Sequence, residues 1–94
     1  MYAAVRRYEG VTDTAEAARL VNDGFVALMA QVSGFVAYYW IDAGDGVMVS
    51  TSVFQDQAGA EESISRAADF VRDNLAALLP NPPQVMAGEV VASA

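Results

Sequence analysis

The sequence predicts one α+β domain whose elements run strand–helix–strand–strand–helix–strand. Three observations carry this reading. Four short runs have strand character, two longer stretches return apolar residues at helical spacing, and an acidic-glycine turn, Ala43-Gly44-Asp45-Gly46, separates the two central runs. A length of 94 residues suits a single domain over residues 1–94 and is too short for two.

Residues Tyr2 to Glu9 alternate and are rich in aromatic and β-branched side chains, which predicts the first strand. Asp13 with Glu16 three residues on is a capping-box arrangement and opens a helix. Ala17, Leu20, Val21, Gly24, Leu28 and Val32 then form its apolar stripe, with Glu16, Arg19 and Asp23 on the other side. Ser33-Gly34 ends it, Gly34 suiting the left-handed position after a helix. Phe35 to Asp42 and Val47 to Phe54 flank the turn and predict a hairpin. Asp56 caps a second helix with inner stripe Ala60, Ile64, Ala67, Val71, Leu75 and Leu78, and Glu62 and Arg66 pair outside. Pro80-Asn81-Pro82-Pro83 stops that helix, and Gln84 to Val91 is the last strand.

Composition removes whole classes of function. The chain has no cysteine and no histidine, which excludes disulfides, thiolate nucleophiles, imidazole metal ligands and a histidine base. No bound metal, haem or flavin is expected, and no cofactor of any kind. Formal charge is −7 with five basic residues, all arginine, so nucleic acid and anionic membrane surfaces are disfavoured partners. No apolar run approaches a membrane span and no basic leader precedes the first strand, so a soluble, cytoplasmic protein is expected. Arginine without lysine, with abundant alanine and valine, points to a high-GC bacterial source.

This element order in so short a chain predicts the ferredoxin-like split βαβ arrangement, a four-stranded antiparallel sheet with two helices on one face. The other face, roughly 20 Å by 18 Å or about 350 Å², has no element of the chain to cover it. The aliphatic set Phe35, Ala37, Tyr39, Ile41, Val47, Val49, Thr51 and Val53, with Ala3 and Val5, is assigned to the helix side. Val36, Tyr38, Trp40, Met48, Ser50, Ser52 and Phe54, with Tyr2, Ala4, Arg6 and Tyr8, are assigned to the open face. This partition requires a bulge or an odd loop in the hairpin. Aromatic rings on an uncovered face of this size mark an interaction surface and predict a homodimer with sheets apposed.

Ser33-Gly34-Phe35 at the start of the second strand, Tyr38-Tyr39-Trp40 within it, and Val53-Phe54 with Asp56 leading to the second helix carry a family resemblance. With the element order over nearly the whole chain, they make it resemble the dimeric α/β-barrel superfamily, and within it the antibiotic-biosynthesis-monooxygenase-like proteins. The resemblance implies a dimeric α/β barrel and pockets between sheet and helices or within the barrel. It implies as activity either cofactor-free oxygenation of an aromatic or polyketide-like substrate or none assigned. Without histidine the chain departs from the haem-degrading branch and from the dehydratases and isomerases that use histidine pairs. No catalytic residue transfers from the family.

The candidate substrate-binding set is Tyr38, Trp40, Arg6, Met48 and Ser50. Tyr38 and Trp40 share one strand face and could form an aromatic wall for a flat, hydrophobic ligand, or simply dimer core. Arg6 could hold a carboxylate or enolate, or pair with an acid such as Glu89 or one of the partner chain. Asn22 beside Gly24 could reach a pocket or be a surface amide. Ser50 and Ser52 have no histidine to activate them. Glu61-Glu62 and Asp42/Asp45 read as a helix first turn and a turn, with metal binding a weak alternative. Two classes of function stay in competition: a cofactor-independent, monooxygenase-like enzyme, and a non-catalytic small-molecule-binding or dimerisation module.

Overall fold

The computed structural model describes residues 1–94 and contains four strands and two helices in the expected order. Strands β1 (Tyr2–Tyr8), β2 (Phe35–Gly44), β3 (Val47–Phe54) and β4 (Gln84–Glu89) form one sheet in the order β2-β3-β1-β4, every neighbour antiparallel. This is the ferredoxin-like arrangement, both crossovers passing over the same face. The last strand stops at Glu89 rather than Val91, and β2 runs on to Gly44.

Both helices start where an aspartate accepts from the backbone three residues on. Asp13 Oδ1 takes the Glu16 N–H at 3.1 Å and Asp56 Oδ1 the Gly59 N–H at 2.9 Å. The second cap sits in a tight corner. A side chain at buried Gly59 would meet the Ser33 carbonyl oxygen at 2.8 Å and the Phe54 side chain at 3.1 Å. Asp56→Ala is expected to cost about 1 kcal/mol, lowering Tm by roughly 4–8 °C in a domain of this size. Thermal unfolding measures it, and an unchanged Tm would show that the cap is redundant.

The first helix occupies residues 14–30 and the second residues 57–75. Each contains one π turn: Val21–Phe25 lies between Thr14–Leu20 and Val26–Ala30, and Val71–Leu75 follows Gln57–Phe70. The buried residues explain why. They fall at Ala17, Val21, Phe25 and Met29 in the first helix and at Ser63, Ala67 and Leu75 in the second, with half-buried Val71 between the last two and buried Leu79 just beyond the helix. A stripe repeating every four residues drifts off an α-helical face. A π turn, closing i→i+5 rather than i→i+4, takes up the extra residue and keeps the stripe on the sheet. The expected first-helix stripe is corrected accordingly: Phe25 and Met29 are buried, whereas Gly24 is exposed and Leu28 only half-buried.

The sheet shows where the sequence reading divided correctly and where it inverted. Trp40 pairs with Ser50 and Ile41 with Val49, and the register shifts between Asp42 and Gly44. This is the bulge that the partition required, and it keeps Tyr38, Trp40, Met48, Ser50, Ser52 and Phe54 together. They lie beneath the helices, however, as do Tyr2, Ala4, Arg6 and Tyr8. Along β3 every even-numbered residue is buried and every odd one half-exposed, and Ala4, Arg6 and Tyr8 are buried on β1. The open face therefore carries Ala3, Val5, Ala37, Tyr39, Ile41, Val47, Val49, Thr51 and Val53. Phe35 keeps the helix side because a second shift, between Phe35 and Ala37, flips it there, leaving Val36 exposed. The physical reason for the inversion is steric. Helices pack close over small residues: Ala4, Ser50 and Ser52 of the sheet and Gly59, Ala60, Ser63 and Ala67 of the second helix are all buried, while β-branched residues stand on the uncovered surface.

Candidate functional site

Beneath the helices the packing is incomplete. A space of about 10 Å³ is lined by Arg6 and Tyr8 of β1, Tyr38 and Trp40 of β2, and Ser50 of β3, and by Val21, Phe25, Ala67, Phe70, Val71 and Leu75 of the helices above. Both π turns contribute to that roof, which is where such irregularities often serve a site. Two larger clefts adjoin it. One, of about 250 Å³, shares Arg6, Tyr8 and Val71 and is bounded by Ile64, Ala68, Arg72, Pro83 and Val85 at the β4 edge. The other, of about 470 Å³, shares Val21, Tyr38 and Trp40 and opens beside Ala18, Asn22, Val26 and Tyr39 at the β2 edge. Together they reach the size of small-molecule sites.

The walls are aromatic. Tyr8 and Trp40 pack with centroids 5.6 Å apart and Phe25 meets Tyr38 edge-on at 5.3 Å. Phe25 also meets Phe70 at 5.0 Å. Gly24 makes room for that contact, since a Cβ there would approach the Phe70 ring at 3.3 Å. These tilted and edge-on geometries are among those that aromatic pairs prefer.

The polar groups within this apolar shell are incompletely satisfied. Arg6 is 2% exposed and donates from Nη1 to Ser50 Oγ at 3.2 Å. Its Nη2, the Tyr38 hydroxyl and the Trp40 indole nitrogen are buried with no hydrogen-bond partner. Arg7, Arg19, Arg66 and Arg72 each pair with a carboxylate; Arg6 pairs with none. The expected Glu89 pairing is thereby corrected: Glu89 lies opposite Tyr2, at the far end of the shared β1–β4 ladder from Arg6. Burial draws the Arg6 guanidinium below its ordinary value, opposed by the nearby Tyr8 and Tyr38, but an arginine stays charged. Burial pushes the Tyr38 hydroxyl far up, outweighing the Arg6 charge and the Ser50 hydroxyl, and pushes Tyr8 up as well. At neutral pH both are neutral phenols. The site offers donors and no base.

Raised tyrosine pKa values set a pH dependence. The unfolded chain releases these protons near pH 10 while the folded one holds them, so their stabilising contribution is complete below about pH 10. It is lost as pH rises toward the folded values. Alkaline titration followed at the phenolate band should show Tyr8 and Tyr38 ionising late, and Tyr38→Phe should remove part of the late phase. An unchanged profile in that variant would contradict the burial assigned to this hydroxyl.

Of the five candidate residues, the structure brings Arg6, Tyr38, Trp40 and Ser50 around one cavity. Met48 is fully buried in the core, opposite Tyr8, and does not line it. Asn22 is exposed on the rim of the larger cleft. Phe25, Phe70 and Arg72 were missed as lining residues; the four-residue spacing Ala17-Val21-Phe25-Met29 was the signal for the first. No group of three His, Cys, Asp or Glu side chains is placed to hold a metal, and no helix is long and apolar enough to cross a membrane.

A four-stranded antiparallel sheet with two helices on one face is a fold that solved structures share. The chain has the fold of the antibiotic-biosynthesis-monooxygenase-like proteins. NE2512, a protein of unknown function from Nitrosomonas europaea, matches with a TM-score of 0.82 at 24% identity over 99% of this chain and 91% of its own. A monooxygenase from the gene ActVA-Orf6 of Streptomyces coelicolor, solved with the ligand nanaomycin D, matches with a TM-score of 0.68 at 21% identity over 98% and 92%. SnoaB, a cofactor-independent oxygenase from Streptomyces nogalater, matches with a TM-score of 0.68 at 18% identity over 98% and 94%. At these identities the likeness is one of fold. No protein-family profile matches the sequence, and no curated protein does.

Proposed function

We propose that this chain binds a small aromatic or polyketide-like phenol or enol beneath its helices and, as a cofactor-independent monooxygenase, oxidises it with dioxygen. One observation carries the reading: Arg6, charged and buried with no carboxylate, shares an aromatic cavity with two further unpartnered donors, Tyr38 Oη and Trp40 Nε1. Such a constellation fits an oxygen that bears negative charge. Fold relatives described as a monooxygenase and as a cofactor-independent oxygenase support the same reading.

In this mechanism the protein supplies no base. Arg6, Tyr38 and Trp40 lower the pKa of the ligand's own hydroxyl, whose proton leaves through a cleft to water. The anion is electron-rich enough to react with dioxygen directly. A carbon–oxygen bond forms at the ring, giving a hydroperoxide. Loss of the adjacent C–H proton then cleaves the O–O bond, leaving a quinone carbonyl and releasing water. One oxygen atom enters the product and the other the water, and the substrate supplies all four electrons, so no external reductant takes part. Tyr8, Phe25 and Phe70 hold the ring plane and exclude solvent.

The absence of a base from the site favours a second reading, a binding module without turnover. One experiment separates them. The chain has a single tryptophan, and Trp40 fluorescence should quench saturably as a hydroxylated anthrone is added. Oxygen uptake equal to the quinone formed, without hydrogen peroxide, is expected of the enzyme. Saturable quenching without uptake would establish the binder, and absence of quenching would overturn both.

We further propose that the protein acts as a homodimer joined through its open sheet face. Tyr39, Ile41 and Met86 are exposed there at 62%, 46% and 72%, beside the half-exposed Val5, Val47, Val49 and Val53. This is the kind of apolar patch that a partner covers.

A further inference from the structure

We propose that the centre of the cavity is also a binding site for a small monovalent anion of halide size, held by Arg6 Nη2, Tyr38 Oη and Trp40 Nε1. The three atoms are buried and lack partners, and all three residues line the same space. Tyr8 is neutral there, and no carboxylate is among the lining residues. The space of about 10 Å³ accommodates roughly one water-sized sphere, so its occupant has one heavy atom or little more. Water would satisfy the hydrogen bonds but leave the guanidinium charge uncompensated, which a buried ion tolerates poorly. A halide supplies both needs. It accepts from several donors at once and neutralises the one arginine that the chain leaves without an acid. The inference deepens the reading above, in that the anion holds the place of the aromatic ligand's charged oxygen and must leave before that ligand binds.

The test compares sodium chloride with sodium gluconate at constant ionic strength. Thermal unfolding should show Tm rising saturably as chloride replaces gluconate. Tyr38→Phe, which keeps the ring and removes one donor, should weaken the apparent chloride affinity roughly tenfold. Arg6→Met should abolish the response. Equal Tm values in the two salts, a rise that never saturates, or a chloride response retained in folded Arg6→Met would overturn the proposal. Should Arg6→Met fail to fold, Tyr38→Phe decides it, and an unshifted affinity there also overturns it. A hydroxyanthrone titration in each salt separates this proposal from the functional reading. Apparent Kd rising linearly with chloride supports the shared site. Aromatic binding indifferent to chloride defeats the anion site and leaves the functional reading standing, whereas a chloride response without any aromatic binding does the reverse.

Discussion

Arg6→Met should weaken binding of the aromatic anion by roughly 100-fold or more while leaving the fold as stable as before or more so. The two effects have opposite signs because they have different origins. Breaking a desolvated, charged hydrogen bond to a ligand costs about 2–5 kcal/mol. Replacing a buried charge without a countercharge by an apolar side chain of similar length is often neutral, or stabilising by about 1–4 kcal/mol. Here the lost internal interactions are few: Arg6 makes one hydrogen bond, to Ser50, and no ion pair. Fluorescence titration and thermal unfolding read the two quantities separately. A variant that loses stability but still binds would mean that Arg6 is a structural strut and that the functional reading is wrong.

Val53→Asp should convert the dimer into a monomer, or prevent folding at ordinary concentrations. Val53 stands on the open face between Ala3 and Ala37, with no arginine directly beside it to neutralise a carboxylate. Covering about 350 Å² per protomer is worth at most roughly 9 kcal/mol at about 25 cal/mol/Å², against at least about 4 kcal/mol for association. An unpaired carboxylate in that interface costs several kcal/mol, enough to cancel the surplus. Light scattering should give about twice the 9.9 kDa chain mass for the parent protein and the single mass for the variant. A parent protein that runs as a stable monomer at micromolar concentration would defeat the dimer. Trp40→Asp, the substitution that the sequence alone would have suggested, tests something else, because its carboxylate would enter the cavity.

What was legible in the sequence follows from the range of each signal. Helix caps, the hairpin turn and the proline stop are decided within four or five residues, and Asp13, Asp56 and the Gly44–Gly46 turn all appear where they were expected. The grouping of Arg6, Tyr38, Trp40 and Ser50 on one face also follows from local alternation, given the bulge. Which face the helices cover is not local. It depends on how closely a helix can approach, and that is set by Gly59, Ala60, Ser63 and Ala67 in a different element. Weighing hydrophobicity alone, Val47, Val49 and Val53 looked like core and Ser50 and Ser52 like surface, whereas size decided the matter the other way. The missing carboxylate at Arg6 was invisible for the same reason, since Glu89 lies on the neighbouring strand but too far along the ladder.

The two π turns make chain length itself a determinant of the pocket. Each absorbs a single residue: removing one residue between Val21 and Phe25 would let the first helix close as a continuous α-helix while everything beyond it kept its face, because a buried spacing of four, four and four becomes four, three and four. Met29 would stay in the core, and only the part of the roof that the turn itself supplies, Val21 and Phe25, would be rearranged. Val71–Leu75 has the same property with respect to Leu79. Point substitutions along these helices therefore alter the lining one residue at a time, whereas a one-residue deletion within a turn reshapes the roof and leaves the rest of the core in place. Among chains of this fold, alignments that ignore a one-residue gap at these turns would match helix to helix correctly and cavity to cavity wrongly.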